Sequence, residues 1–87
     1  MRRIYRNVLK HHFHVQLVQI RASNGLPQSA MAERLSMDER SYIDLEHGKT
    51  CCSAVTLALF LVYVCDDVQE FLEELRSAFH TAYHQAA

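Results

Sequence analysis

The chain is poor in the residues that interrupt helices, with only two glycines and one proline among its 87 residues. Because Gly and Pro mark most turns, this scarcity excludes a loop-rich domain and predicts helices joined by short connections. The length suits one domain and is too short for two. Since 49% of the residues are hydrophobic, disorder of the highly charged, weakly hydrophobic kind is also excluded. We expect a single all-α domain over residues 1–87.

Cysteine and long apolar runs are scarce as well. The chain has three cysteines, an odd number: Cys51, Cys52 and Cys65. They lack the spacing of a disulfide framework or a C-x-x-C motif. The longest apolar stretch, residues 54–65, is well short of the roughly 20 residues that span a bilayer. No signal-peptide pattern opens the chain. We therefore expect a reduced, cytoplasmic protein with no membrane partner.

Neither sign of charge is in large excess, since the formal net charge is −1, but the charges are unevenly distributed. The chain up to Arg21 is basic and contains no acidic residue, whereas the five acidic residues from Asp66 onward are opposed only by Arg76. A basic N-terminal helix can lie against phosphates. It can equally be a solvated face, or pair with the acidic segment of a second copy.

Residue patterns typical of catalysis are missing. We find no Ser-His-Asp spacing, no glycine-rich phosphate loop and no paired catalytic carboxylates, so we expect no enzyme, no catalytic residue and no cofactor. His11 with His14, and His80 with His84, have the spacing of two metal ligands on a helix, but the sequence places no third ligand beside either pair. We interpret them as surface histidines and expect no metal site.

Hydrophobic periodicity and helix-end signals predict the first three of five helices. The first covers about residues 5–23 and is stopped by Gly25. The second begins at Pro27, whose fixed φ suits the first helical turn. The third runs from Asp38, a good N-cap, to His47. Residues 37 and 38 form the turn between the second and third helices.

The fourth and fifth helices carry apolar surface that another part of the protein or a second copy must bury. The fourth, about residues 54–64 after the N-cap Ser53, is apolar on every side, and such a helix must be covered all round. It is either a core helix or, through Leu59, Tyr63 and the apolar stripe of the fifth helix (about residues 67–83), part of a two-fold interface. Because 87 residues offer little chain to cover both sides, we expect a homodimer through helices four and five.

Residues 26–49 predict two short helices joined by a tight turn. A unit that reads DNA needs a small residue where its helices cross, apolar residues that lock the second helix, and outward polar side chains near that helix's N-terminus. Ala32 suits the crossing, and Tyr42 and Leu45 suit the lock. This pattern predicts a helix-turn-helix, with a core over about residues 17–64.

The outward side chains of the third helix are the candidates for DNA contact. Four are predicted to read bases: Glu39, Arg40, Ile43 and Asp44. Arg40 can bind guanine bidentately, a carboxylate can accept from cytosine N4, and Ile43 can touch a thymine methyl group. Four more residues are predicted to contact the DNA backbone: Ser41, His47, Lys49 and Thr50.

The stretch from Arg21 to about Leu61 resembles the Cro and phage-repressor type of helix-turn-helix regulator, also called the xenobiotic-response-element family. The positions that match the family pattern are Arg21, Gly25, Leu26, Gln28, Ala32, Leu35, Met37, Tyr42, Leu45, Glu46, Gly48 and Lys49. The resemblance implies the compact five-helix fold of the phage-repressor DNA-binding domain. It also implies that Gln28 contacts a backbone phosphate and that Arg21 and Glu46 form a structural salt bridge between the first and third helices.

The function implied is that of a sequence-specific DNA-binding transcriptional regulator, repressor-like, which binds a double-stranded DNA operator with its third helix in the major groove. The alternative is a protein-interaction or antitoxin-like module on the same scaffold, with weak or no DNA binding. The alternative stays open because Glu39 and Asp44 direct carboxylates towards the place where phosphates would lie.

Overall fold

Five α-helices make up the fold. The structure, a computed structural model, describes residues 1–86. The helices are α1 (Arg2–Asn24), α2 (Gln28–Arg34), α3 (Glu39–Glu46), α4 (Ala54–Leu59) and α5 (Val68–Ala86). A π-helical segment, Phe60–Val64, directly continues α4. Residues 1–86 contain no β-strand, so the prediction of an all-α, five-helix protein is confirmed.

The ends of the first three helices follow the local signals in the sequence. α1 begins three residues before the predicted start and ends at Gly25, whose φ of 61° is left-handed. Pro27 precedes the first residue of α2. At the start of α3, the Asp38 side chain accepts a hydrogen bond from the Ser41 N–H at 2.9 Å. These predicted helix ends are confirmed because each depends on a residue whose backbone or side chain acts locally.

The last two helices are also capped by side chains. Ser53 accepts a hydrogen bond from the Thr56 N–H at 3.2 Å, and Asp67 accepts one from the Glu70 N–H at 3.0 Å. Each cap satisfies a backbone donor that has no partner within its own helix. Ser53 was the predicted cap of α4, and this prediction is confirmed.

The turn between α2 and α3 is longer than predicted. It includes Ser36, which adopts a φ of 53°, a left-handed conformation that costs a non-glycine residue about 1–2 kcal/mol. The Met37 N–H donates to the Ala32 carbonyl at 3.0 Å and closes the turn. The strain is tolerated because neighbouring Leu35 is buried, with 1% exposure, and holds the turn against the core.

Phenylalanines connect three helical elements at the centre of the core. The ring of Phe60 lies 4.8 Å from that of Phe13 and 5.1 Å from that of Phe71. Tyr5 meets Phe79 at 5.1 Å, so early residues of α1 face late residues of α5 and the two helices run antiparallel. The fully buried apolar residues are Phe13, Leu17, Met31, Ala32, Leu35, Tyr42, Leu45, Phe60, Val64, Phe71 and Leu75.

One side of α4 and the π-helical segment is open to solvent. Val55, Val62 and Tyr63 are 69%, 71% and 69% exposed, so the interpretation of this helix as a core helix covered all round is wrong for the single chain, and the alternative of a two-fold interface stays a prediction. Only Phe60 and Val64 of the two segments are fully buried. The reason is that α5 packs along α1, which leaves the outer side of α4 without a neighbour among residues 1–86.

Within the part of the chain that the structure describes, no helix combines the length and the apolar character needed to cross a bilayer.

Candidate nucleic-acid interface

α3 presents one side to the core and the other to solvent. Its buried residues are Tyr42, Leu45 and Glu46. The four base-reading candidates lie away from these: Glu39 and Arg40 are exposed, and Ile43 and Asp44 are half-buried. The first turn of α3 therefore offers a carboxylate and a guanidinium to a ligand, and the following turn offers an apolar side chain beside a second carboxylate.

Asp38 and Ser41 fix the first turn of α3. The Ser41 hydroxyl donates to Asp38 Oδ1 at 2.7 Å, in addition to the Ser41 N–H bond at Oδ2. These two bonds, first from the hydroxyl and then from the N–H, lower the pKa of the Asp38 carboxyl. Because the single hydroxyl proton is used in this way, Ser41 can donate to a phosphate only if its bond to Asp38 breaks.

Arg21 of α1 and Glu46 at the end of α3 form a bidentate ion pair. Arg21 Nη2 lies 2.6 Å from Glu46 Oε1, and Arg21 Nε lies 2.9 Å from the same oxygen and 3.1 Å from Oε2. The Glu46 side chain is only 3% exposed and that of Arg21 is 30% exposed. Burial is the largest single influence and acts to raise the pKa of Glu46, but the hydrogen bonds from Arg21, the positive charge of Arg21 and smaller effects of Tyr42 and Gln28 together hold the pKa below its usual range.

Other residues of α1 and of the start of α2 contact Glu46 or its partner Arg21. His14 Nδ1 of α1 donates to the Glu46 backbone carbonyl, and Arg21 Nη1 donates to the Leu26 carbonyl at 3.3 Å. The Gln28 amide nitrogen lies 3.5 Å from Glu46 Oε2. Glu46 therefore connects α1, the start of α2 and the end of α3. The structure directs Gln28, the predicted phosphate contact, towards this carboxylate.

Tyr42 is the buried residue nearest to the ion pair. Burial and, next, the adjacent Glu46 carboxylate raise the pKa of its hydroxyl. The hydroxyl oxygen is inaccessible to solvent and has no hydrogen-bond partner among the described residues. The fold therefore buries the Tyr42 hydroxyl without a hydrogen-bond partner for it among residues 1–86.

The loop after α3 holds three of the backbone-contact candidates. His47, Lys49 and Thr50 are exposed, and the Lys49 N–H donates to the Asp44 carbonyl at 2.9 Å. Gly48 permits this path because its φ of 72° is left-handed, a backbone conformation that residues with a side chain rarely adopt. These three candidates therefore lie together beyond the C-terminal end of α3, whereas Gln28 lies by the buried ion pair and Ser41 in the first turn of α3.

The structure places this loop beside basic residues that were not among the predicted site residues. A cleft of about 360 Å³ separates the loop from the first half of α1. Its polar and charged lining residues are Arg3, Arg6, Asn7, Lys10, Lys49 and Thr50. The basic composition of the N-terminal segment was visible in the sequence. Its approach to a loop about forty residues later depends on the way α1 packs on α3 and was not.

The histidines do not form a metal site. Among residues 1–86, no group of three or more His, Cys, Asp or Glu side chains is placed to hold a metal ion. The His80 and His84 rings stack 6.3 Å apart on exposed positions of α5. The interpretation of His14 as a surface histidine is wrong, because its ring is half-buried between α1 and the end of α3.

The three cysteines are unpaired thiols. Burial, followed by the neighbouring Cys51, raises the pKa of Cys52 to about 11, and burial likewise raises the pKa of Cys65. Both thiols are therefore protonated near neutral pH and are weak nucleophiles.

No family model, no curated protein and no solved structure matches the chain.

Proposed function

We propose that this protein is a sequence-specific DNA-binding transcriptional regulator, repressor-like, of the Cro and phage-repressor type. In this proposal α2, the turn and α3 form a helix-turn-helix, and α3 enters the major groove of a double-stranded operator. The observation that carries the proposal is the way α3 is held. Asp38 caps its start and the Glu46 ion pair anchors its end, while its outward side chains remain accessible.

A fixed recognition helix is what base reading requires, because hydrogen bonds to base edges need side chains that start from a defined position. Met31, Ala32 and Leu35 are buried and pack α2 beneath α3. Arg40 is exposed in the first turn of α3, where recognition helices contact base edges. Arg40 is therefore the side chain that we assign to a guanine.

The first prediction concerns Arg40→Ala. Loss of a bidentate contact should reduce discrimination at one base pair by about 1–3 kcal/mol, or roughly 5- to 150-fold. Selection of bound sequences from a random DNA pool at low salt, followed by binding to the selected site and its single-base variants, measures this. Arg34→Ala removes the same charge from an exposed position in the last turn of α2 and should leave the preference unchanged. Equal effects of the two variants would contradict the role of Arg40.

We further propose that the protein is a homodimer through α4, the π-helical segment and α5. The support is the exposure of large apolar side chains on each of these elements: Val55 on α4, Val62 and Tyr63 on the π-helical segment, and the 47% exposed Leu72 on α5. Exposed apolar patches of this kind mark association surfaces. A two-fold dimer would also present two α3 helices to half-sites about one DNA turn apart.

The second prediction is that Val62→Asp prevents self-association, because a carboxylate would have to be buried in the interface. Sedimentation equilibrium should give twice the 10.1 kDa monomer mass for the native chain and the monomer mass for the variant. Val18→Asp introduces the same charge at an exposed apolar position of α1 and should remain dimeric. A native chain that is monomeric at high concentration would overturn the dimer.

The second candidate function is a protein-interaction or antitoxin-like module. It is favoured by the carboxylates of Glu39 and Asp44 on the outward side of α3, which repel phosphates. If the random pool yields no enriched sequence, and no binding occurs even at low salt, this candidate replaces DNA reading.

A further inference from the structure

The cleft between α1 and the loop after α3 concentrates positive charge. Arg3, Arg6 and Lys10 line it from α1, and Lys49 lines it from the loop. The cleft walls contributed by the described residues include no acidic side chain. Asn7 and Thr50 add neutral hydrogen-bonding groups, so the cleft combines four cationic groups with polar side chains that suit phosphate oxygens.

The acidic residues lie on the other side of α1. Asp66, Asp67, Glu70 and Glu74 surround a separate depression together with His12 and Gln16 of α1. The α1 residues of the two sites follow different helical stripes, so the body of α1 stands between the carboxylates and the cations. Among the described residues, none of the four cleft cations forms an ion pair, since the one ion pair there joins Arg21 and Glu46.

We propose that this cleft binds the phosphate backbone of duplex DNA, and that α1 thereby supplies the positive charge that α3 lacks. The inference rests on the proposed DNA binding and adds a second contact surface to it. His47 is the residue after the end of α3, and Lys49 and Thr50 of the same loop line the cleft, so the cleft begins close to the C-terminal end of α3.

The spacing of the cations fits a strand of DNA. From Arg3 to Lys10 the helix rises about 10 Å, a length over which one strand presents about three phosphates along the duplex axis. Arg3, Arg6 and Lys10 occupy successive turns of α1, so each can face a different phosphate. An isolated small anion would need only one or two of these groups.

The third prediction tests the cleft through salt dependence. Each cation that contacts a phosphate contributes about 0.9 to the slope of log affinity against log salt concentration. Arg6→Gln and Lys10→Gln should each lower this slope by about 1 and weaken binding to all sequences alike. The double variant should lower it by about 2, so its loss of affinity relative to the native protein should be roughly tenfold larger at about 50 mM than at about 200 mM salt. Fluorescence anisotropy with a short duplex of random sequence, between about 50 and 200 mM salt, measures both.

Arg76→Gln is the matched control, because Arg76 is an exposed cation of α5 that lies outside the cleft. Its slope should equal that of the native protein. If the cleft variants also keep the native slope, the inference is overturned. Inorganic polyphosphate provides a further arm: cleft variants that lose affinity for polyphosphate but not for the duplex would assign the cleft to a free phosphate polymer and overturn DNA binding there.

These experiments test the phosphate-binding role of the cleft and the base-reading role of α3 separately. Arg40→Ala should keep the native salt slope while it loses base preference. A reduced slope in the cleft variants without any sequence preference in the native protein would retain the cleft and reject the proposed sequence-specific function. Base preference that depends on Arg40, combined with unchanged salt slopes in the cleft variants, would retain the proposed sequence-specific function and reject the cleft as a phosphate-binding surface.

Discussion

Arg21→Ala is expected to lower the free energy of unfolding by about 3 kcal/mol at neutral pH, because it leaves a buried carboxylate without its partner. Glu46 is 3% exposed and receives its shortest contacts from Arg21. We expect the lower end of the usual range for a broken buried pair because Arg21 itself retains 30% exposure. Urea unfolding followed by circular dichroism measures the loss.

The same variant should show a distinctive dependence on pH. In the native protein the pKa of Glu46 is lowered, so its stabilising contribution is present above the ordinary carboxyl pKa and is lost as pH falls through the folded value. Without Arg21, burial dominates and raises the pKa of Glu46, so the folded variant binds a proton more tightly than the unfolded chain. The stability difference between native protein and variant should therefore shrink from pH 7 to about pH 4, near the ordinary Glu pKa.

Replacing both partners gives the control for Arg21→Ala. Arg21→Met combined with Glu46→Leu leaves no buried charge and should recover most of the lost stability. Unfolding midpoints of the native protein and Arg21→Ala that coincide at pH 7, or that diverge as pH falls, would show that the ion pair does not anchor α3.

Phe60→Ala is expected to cost about 3–5 kcal/mol of unfolding free energy, the usual range for removing a buried aromatic ring. Phe60 is fully buried and contacts the rings of both Phe13 and Phe71. Its removal would leave a cavity where α1, the π-helical segment and α5 meet. Against a typical total stability of about 5–15 kcal/mol, such a loss removes a large share of the stability, which thermal unfolding would detect as a lower midpoint.

Tyr63→Ala is the companion variant, because Tyr63 belongs to the same π-helical segment but is 69% exposed. Measured at concentrations where the chain is monomeric, it should change stability by less than about 0.5 kcal/mol. Equal losses from the two substitutions would mean that the inward and outward sides of this segment are assigned incorrectly.

The sequence predicted the parts of the fold that depend on local chemistry. Gly25, Asp38 and Ser53 act on backbone groups within a few residues of themselves, so the helix ends that they mark could be recognised without knowledge of the tertiary structure. The inward position of Tyr42 and Leu45 was likewise predictable, because polar neighbours in α3 define its outer side.

Which side of α4 is buried against the core could not be predicted in the same way. A helix with apolar residues on every side carries no pattern that distinguishes its buried face from its exposed one. In addition, the Cys65 N–H donates to the Phe60 carbonyl at 2.8 Å, a bond of the wider π-helical turn that alters which residues share a face. The exposure of Val55 and Val62 therefore could not be recognised from the sequence.

The basic cleft was beyond prediction for a different reason. Its two walls come from α1 and from the loop after α3, and they meet only because His14 and Arg21 attach α1 to Glu46. The sequence showed that the N-terminal segment is basic. It contained no local signal that Lys49 would join Arg3 and Arg6.

The separation of charge across α1 gives the molecule a large electric dipole even though its formal net charge is only −1. The cations of the cleft form its positive end, and the carboxylates around the start of α5 form its negative end. In the field of a polyanion such a molecule experiences a torque before it makes contact. The torque rotates the molecule until the cleft faces the polyanion. In the DNA binding that we propose, encounters would thus be pre-oriented, and raising the ionic strength would slow association by making the approach rotationally random.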